Sequence, residues 1–309
     1  MKILLTGATG FIGRKLAIQL SKDGHDLVLL SRDPERASLQ VGVECQIFKC
    51  DLALSEPPTE ALSNIDAVIH LAGESVASGR WTLSRKQKIY DSRIKSTRNL
   101  VNSFKSVGVQ APKLFLAASA IGFYGDRGDE VLSENSVKGI GFLADLCNEW
   151  EAESNRAKGK DTRVVTLRLG VVFGEGGGAL TQMLRPFTAG LGAKLGSGKQ
   201  WMSWIHLEDV VGAICFILKN ENIIGPVNGV SEEPITNSEF TQVLAGVLKT
   251  KARLTLPAIA LGIALGEMSS VVLGSSKVIS SQLKSHGFKF TYPHLHKALS
   301  GILNSNLAN

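Results

Sequence analysis

The chain opens with Met1–Gly13, MKILLTGATGFIG. Ile3, Leu4 and Leu5 form the short apolar run that a buried parallel strand shows. Gly7, Gly10 and Gly13 then follow at intervals of three, and Arg14–Leu20 carries helical periodicity. A glycine-rich turn between strand and helix lets the backbone approach a pyrophosphate, which the free N–H groups and dipole of the helix start stabilise. The glycines alone are a weak signal, and their place between strand and helix makes them a strong one. Gly7, Thr9, Gly10, Phe11, Ile12 and Gly13 are therefore candidate cofactor-binding residues.

The size and composition suit a globular α/β protein. The 309 residues can bury a sizeable core, and 44% hydrophobic residues with 32 glycines is ordinary for that class. The formal charge of +6 is carried by scattered Lys and Arg with no nucleic-acid motif, so an anionic small ligand explains it better than a nucleic acid. Cys45, Cys50, Cys147 and Cys215 lack metal-ligand spacing, and reduced thiols without a metal are expected. The first strand starts at residue 2, and the longest apolar run, 256–266, is short for a bilayer. These features predict a cytoplasmic protein with neither signal peptide nor membrane span.

Downstream, Leu27–Leu30 reads as a second buried strand ending at Ser31-Arg32-Asp33-Pro34. An acidic residue at this place holds the ribose 2′-hydroxyl of NAD, whereas Arg accommodates the 2′-phosphate of NADP. Asp33 before Pro34 and Glu35 has the pattern of a helix N-cap. Asp33 is thus assigned to the cap, Ser31 and Arg32 to the phosphate, and the cofactor to NADP(H). Further strands are read at 46–48, 67–71, 114–118 and 163–169, with one helix spanning 84–104. On that helix Arg93 shares the face of Ile89, Thr97, Leu100 and Val101, where a guanidinium needs an anionic or carbonyl partner. Arg93 is read as a cofactor contact, with Lys88 one turn earlier as a second.

The form TGxxGxxG followed by GFIG resembles the extended, epimerase/dehydratase-like branch of the short-chain dehydrogenase/reductases. Other segments extend the likeness: the turn Leu71-Ala72-Gly73, GxRW at 79–81, SAIGFYG at 119–125, GVVFGEGGG at 170–178 and WIHLEDVV at 204–211. Together with the C-terminal part, they resemble the atypical SDR39U1-like (YfcH-like) epimerase family. The resemblance implies a Rossmann-type, doubly wound parallel sheet built from 1–172 and 206–231. A smaller substrate lobe would come from 173–205 and 232–309. It also implies cofactor contacts at Asp51, Leu52, Leu71, Ala72, Gly73 and Val172, and catalytic roles for Ser119 and Tyr124 beside Glu74.

Catalysis in that superfamily rests on a Tyr with a Lys four residues later, the Lys lowering the phenol pKa. The residues four after Tyr90, Tyr124 and Tyr292 are Ile94, Gly128 and His296, so the pair is absent. Met202 stands where nucleotide-sugar enzymes carry the diphosphate-gripping Arg, and Trp201 and Trp204 suggest a more apolar pocket, with Arg185 as a substitute anion ligand. Two readings follow. One is an NADP(H)-dependent oxidoreductase or epimerase-like enzyme acting on an unidentified small molecule. The other is a non-catalytic NADP(H) sensor with a protein partner.

Overall fold

A computed structural model describes residues 1–105 and 109–305. Seven parallel strands form the central sheet: β1 (Lys2–Thr6), β2 (Asp26–Ser31), β3 (Gln46–Lys49), β4 (Ala67–His70), β5 (Leu114–Ala120), β6 (Arg163–Leu169) and β7 (Gly225–Gly229). Their order, β7-β6-β5-β4-β1-β2-β3, reverses direction between β1 and β4. Such a switch point opens a crevice at the carboxyl ends of the strands, where α/β sheets bind ligands. Pro226 lies in β7, at the sheet edge, where one missing backbone donor is tolerated.

Both faces of the sheet are covered. Helix α1 (Phe11–Lys22) packs Leu16, Ala17 and Leu20 on one face, with Val210, Ile214 and Ile217 of a later helix, Leu207–Lys219. Helix α2 (Pro34–Val41) starts as read: Asp33 Oδ1 accepts the Arg36 N–H at 3.1 Å, with Pro34 at the first helical position. The opposite face is covered by Leu100 and Val101 with Leu52, Ala61 and Leu62.

The helix expected over 84–104 is two helices, α3 (Leu83–Asp91) and α4 (Ile94–Ser103). Serine hydroxyls compete with the helical ladder at the break. Ser92 Oγ donates to Ile89 O at 2.9 Å, and Ser96 Oγ donates to Ser92 O at 2.6 Å. The break falls at Arg93 and turns its side chain toward the carboxyl end of β4.

Beyond β5 the chain continues through α5 (Phe142–Asn155), α6 (Gly178–Thr188), α7 (Leu207–Lys219) and α8 (Asn237–Val247). Phe173, Leu180, Phe187, Trp204, Phe240 and Leu244 build a second core, into which a C-terminal helix places Leu295, Ala298 and Leu299. Residues 278–292 depart from the expected division. Leu283, Phe288 and Phe290 pack on the core of the central sheet, and Asp209 of α7 accepts the N–H groups of Thr291 (2.7 Å) and Tyr292 (3.0 Å). Among the described residues no helix is long and apolar enough to cross a membrane.

Candidate cofactor and active site

The turn after β1 is shaped by close backbone approach. Gly7 has φ +72°, and a Cβ there would lie 2.8 Å from the backbone of Leu71 and Ala72. A Cβ on Gly13 would lie 2.1 Å from Gly7 O and 2.7 Å from Ala8 Cα. Only hydrogen side chains let α1 start this near to β1. Gly10 caps α1 with extended backbone and no side-chain hydrogen bond, which leaves the first-turn N–H groups for a ligand. The Phe11 ring is covered by Gly174–Gly178, where a Cβ on Gly177 or Gly178 would come within 2.8 Å of it.

At the end of β2, Ser31 Oγ donates to Asp33 O at 2.9 Å, and Arg32 is exposed without an ion pair among the described residues. Arg32 and Lys49 help line an open depression of about 520 Å³. Lys49 was missed in the sequence, although its place at the end of the neighbouring β3 is the signal for it. Asp51 Oδ1 accepts the Ala53 N–H at 3.0 Å, and the Leu52 side chain is buried in the core, so only the Leu52 backbone can meet a ligand.

The turn Leu71–Gly73 is tied to β1: Leu71 N–H donates to Thr6 O and Ala72 N–H to Thr6 Oγ1. Thr6 Oγ1 also bonds His70 Nδ1 (2.7 Å), whose Nε2 meets Thr97 Oγ1 (3.1 Å). Burial lowers the His70 pKa to about 4, so the ring is neutral near pH 7. The Arg93 guanidinium lies on Gly73 and 5.1 Å from the Trp150 ring. It donates to Glu74 O (2.9 Å) and Ile89 O (3.2 Å), and among the described residues no carboxylate pairs with it. Burial pushes its pKa down. Lys88 is exposed on α3. Val172 is half-buried against the central core.

Ser119 and Tyr124 are not free groups in the structure. Both are buried and already partnered: Ser119 Oγ donates to Glu151 Oε1 at 2.7 Å, and Tyr124 OH donates to Asn228 Oδ1 at 2.7 Å. The short helical turn Ile121–Tyr124 after β5 folds the phenol inward, under Arg168. Burial raises its pKa despite Arg168, which is the wrong direction for a general base. Glu74 stands in another group, accepting from Arg85 Nη1 at 2.9 Å.

Helix α5, where the resemblance puts the missing pair, carries Cys147 and Glu151, four residues apart and both buried. Burial pushes the Cys147 thiol pKa up to about 11. Arg168 of β6 makes a bidentate pair with Glu151, Nε to Oε1 at 2.8 Å and Nη2 to Oε2 at 2.7 Å. Its Nη1 donates to Tyr124 OH at 2.9 Å, and its guanidinium lies 3.6 Å from the Phe123 ring centroid. Glu134, also buried, accepts the N–H groups of Asn228, Ser281 and Gln282. An arginine inside the apolar run VVTLRLG is a sequence signal that a buried polar partner must exist.

The apolar pocket is reduced as well. Trp204 is a core residue stacked on Phe173, Met202 packs in the same second core, and Trp201 Nε1 donates to Asp129. Arg185 is exposed on α6. Among the described residues no cluster could hold a metal ion.

Comparison with known proteins agrees with this architecture. Residues 256–302 match a domain of unknown function, DUF1731. The chain is 37% identical to the epimerase family protein SDR39U1 homolog, chloroplastic, of Arabidopsis thaliana, over 98% of its own length and 87% of the relative's. An epimerase family protein of Staphylococcus aureus is 35% identical, with 97% and 98% covered. The crystal structure of human epimerase family protein SDR39U1 with NADPH superposes with a TM-score of 0.87 at 32% identity, covering 98% of this chain and 99% of that one. UDP-glucuronic acid 4-epimerase from Bacillus cereus shares the fold, with a TM-score of 0.80 at 20% identity over 99% of this chain and 100% of that one. With residues 3–228 matching its model, the chain belongs to the NAD dependent epimerase/dehydratase family.

Proposed function

We propose that the chain binds NADP(H) at the switch point and acts on a small molecule as an oxidoreductase or epimerase-like enzyme. The observation that carries this reading is the uncapped start of α1, held against Leu71 and Ala72 by Gly7 and Gly13, with the cations Arg32 and Lys49 at the ends of β2 and β3. The first turn of α1 receives the pyrophosphate, Arg32 and Lys49 the 2′-phosphate, and Arg93 the pyrophosphate or the neighbouring ribose. When bound, a nicotinamide supplies or accepts a hydride. Met202 replaces a diphosphate-binding arginine, which favours a substrate other than a nucleotide sugar.

NADPH is expected to bind more tightly than NADH, and Arg32→Ala to remove most of the difference. A charge-assisted phosphate contact is worth about 1.5–3 kcal/mol, roughly tenfold to a hundredfold in affinity. Fluorescence titration of both cofactors tests it, and equal affinities in the wild type would refute it. Gly13→Ala has a different signature. Its Cβ meets backbone that cannot move aside, so stability falls by about 1–3 kcal/mol and NADPH binding is lost. Urea unfolding and titration together separate this from Arg32→Ala, which leaves stability unchanged.

The sensor reading is favoured by one observation: Glu151, on the helix where the resemblance puts the catalytic Tyr and Lys, is buried in a pair with Arg168 of β6. Saturable NADPH binding that alters affinity for a protein partner, with no NADPH consumed across diverse carbonyl compounds, would establish it over the enzyme.

A further inference from the structure

From Phe240 to Asn309, Glu267 is the only acidic side chain, and it is spent on one contact with the other half of the molecule, an ion pair with Lys86 of α3. Glu267 lies between α9 (Ala258–Leu265) and α10 (Ser269–Leu273). Gly266, with φ +61°, makes the turn there, a conformation that favours glycine. Next to it Met268 packs against the cluster that holds Trp81, Ile89, Ala118 and Trp150, as does Leu71. Ala118 precedes Ser119, and Leu71 opens the turn expected beneath the cofactor. The contact therefore stands on the substrate side of the candidate site.

The ends of segment 254–275 are fastened elsewhere. Leu254–Leu256 pairs with Ala193–Leu195, Gly196 N–H donates to Leu256 O at 2.8 Å, Gln200 Nε2 donates to Val272 O at 3.2 Å, and Ser275 Oγ donates to Gly128 O at 2.7 Å. Between the fastenings α9 buries no residue, and Ile259 and Ile263 are 79% and 73% exposed. A helix with so little packing is held by its ends and by whatever its turn grips. An ion pair with Glu267 62% exposed is a weak grip, so the Met268 contact supplies much of the hold.

We propose that residues 258–273 are a lid over the substrate side of the site, latched by Glu267 on Lys86 and by Met268 in the Trp81 cluster. The latch opens while the fastenings at 254–256 and 272–275 stay closed. The strap then swings from the Trp81 side and admits substrate to the β4–β5 edge. Closing returns the only acidic side chain of 240–309 to Lys86 and expels water from the cleft.

The lid itself is tested by amide hydrogen exchange in 258–273 on the free protein. Glu267→Gln with Met268→Ala is expected to raise exchange there about tenfold, on the order of what losing one ion pair and one partly buried side chain releases. Lys86→Glu alone is expected to raise exchange severalfold, and the charge-swapped variant, Lys86→Glu with Glu267→Lys, to restore slow exchange, which a general loss of folding would not do. Unchanged exchange in the first variant, or no rescue in the charge-swapped one, overturns the latch.

The covering role rests on the NADP(H) reading and uses the loaded protein. A carbodiimide activates the Glu267 carboxylate, the Lys86 amine displaces the substituted urea, and an amide bond locks the strap. The locked protein is expected to shield bound NADPH fluorescence from acrylamide, and the Gln/Ala variant to expose it severalfold. Equal quenching in both overturns the lid. A protein that shows no bound NADPH sinks the cofactor reading instead, while the exchange experiment still decides the latch.

Discussion

Glu151→Gln is expected to lower the unfolding free energy by about 3–5 kcal/mol, the cost of leaving a buried charge without its partner. Arg168 is 4% exposed, and its remaining contacts are the Tyr124 hydroxyl, the Glu134 carbonyl and the Phe123 ring, none of which carries a negative charge. Arg168→Met leaves Glu151 with Ser119 as its remaining described hydrogen-bond donor and is expected to cost a similar amount. The double variant, Glu151→Met with Arg168→Met, removes both charges and fills the space with apolar atoms. Its loss is expected to be well below the sum of the single losses, because replacing an entire buried pair is often close to neutral. Urea unfolding of the three variants measures this, and additive losses would show that the two charges do not support each other.

That network also explains which parts of the site were legible in the sequence. The glycine turn, the Asp33 cap and the Ser31-Arg32 end of β2 are local features, written in a few adjacent residues, and each stands where the pattern placed it. The Ser119 and Tyr124 roles depended on where a turn after β5 sends its side chains. A fold-level resemblance gives the segment but not the rotation, and here one short helical turn buries the phenol under Arg168. Glu151 and Glu134 lie 17 and 34 residues before Arg168 in sequence, so only the packed structure brings them together. The signal available was that charged residues in apolar runs must find partners.

The division into lobes depends on contacts of the same long-range kind. Strands β1 to β6 announce themselves as apolar runs between turns. The return of 278–292 to the central core depends on Leu283, Phe288 and Phe290 finding α7, and on Asp209 accepting two backbone N–H groups. A pair such as Ser92 and Ser96 can likewise break a helix whose apolar stripe runs on without a gap, because hydroxyl bonds to backbone carbonyls leave no trace in hydropathy.

Stability is expected to fall by about 3 kcal/mol as pH drops from 6.5 to 4, through His70 alone. The ring is fully buried between Thr6 and Thr97, and burial, with Arg93 adding to it, lowers its pKa to about 4 from the ordinary 6.5. Between those values the unfolded chain binds a proton that the folded chain does not, so acid favours unfolding. Above pH 6.5 both states are neutral and the contribution is fully present; below about 4 both are charged and no more is lost. His206, whose pKa is also lowered to about 4 by burial, acts in the same direction. His70→Gln keeps hydrogen-bonding capacity between Thr6 and Thr97 and does not titrate, so its stability should be flatter over this window than that of the wild type. The neutral ring also bonds the Thr6 hydroxyl that accepts the Ala72 N–H, so its protonation should loosen the turn at 71–73 before the rest of the sheet. Urea midpoints of both proteins at half-unit pH steps measure the effect. Parallel curves for the wild type and His70→Gln would show that His70 is not the titrating group.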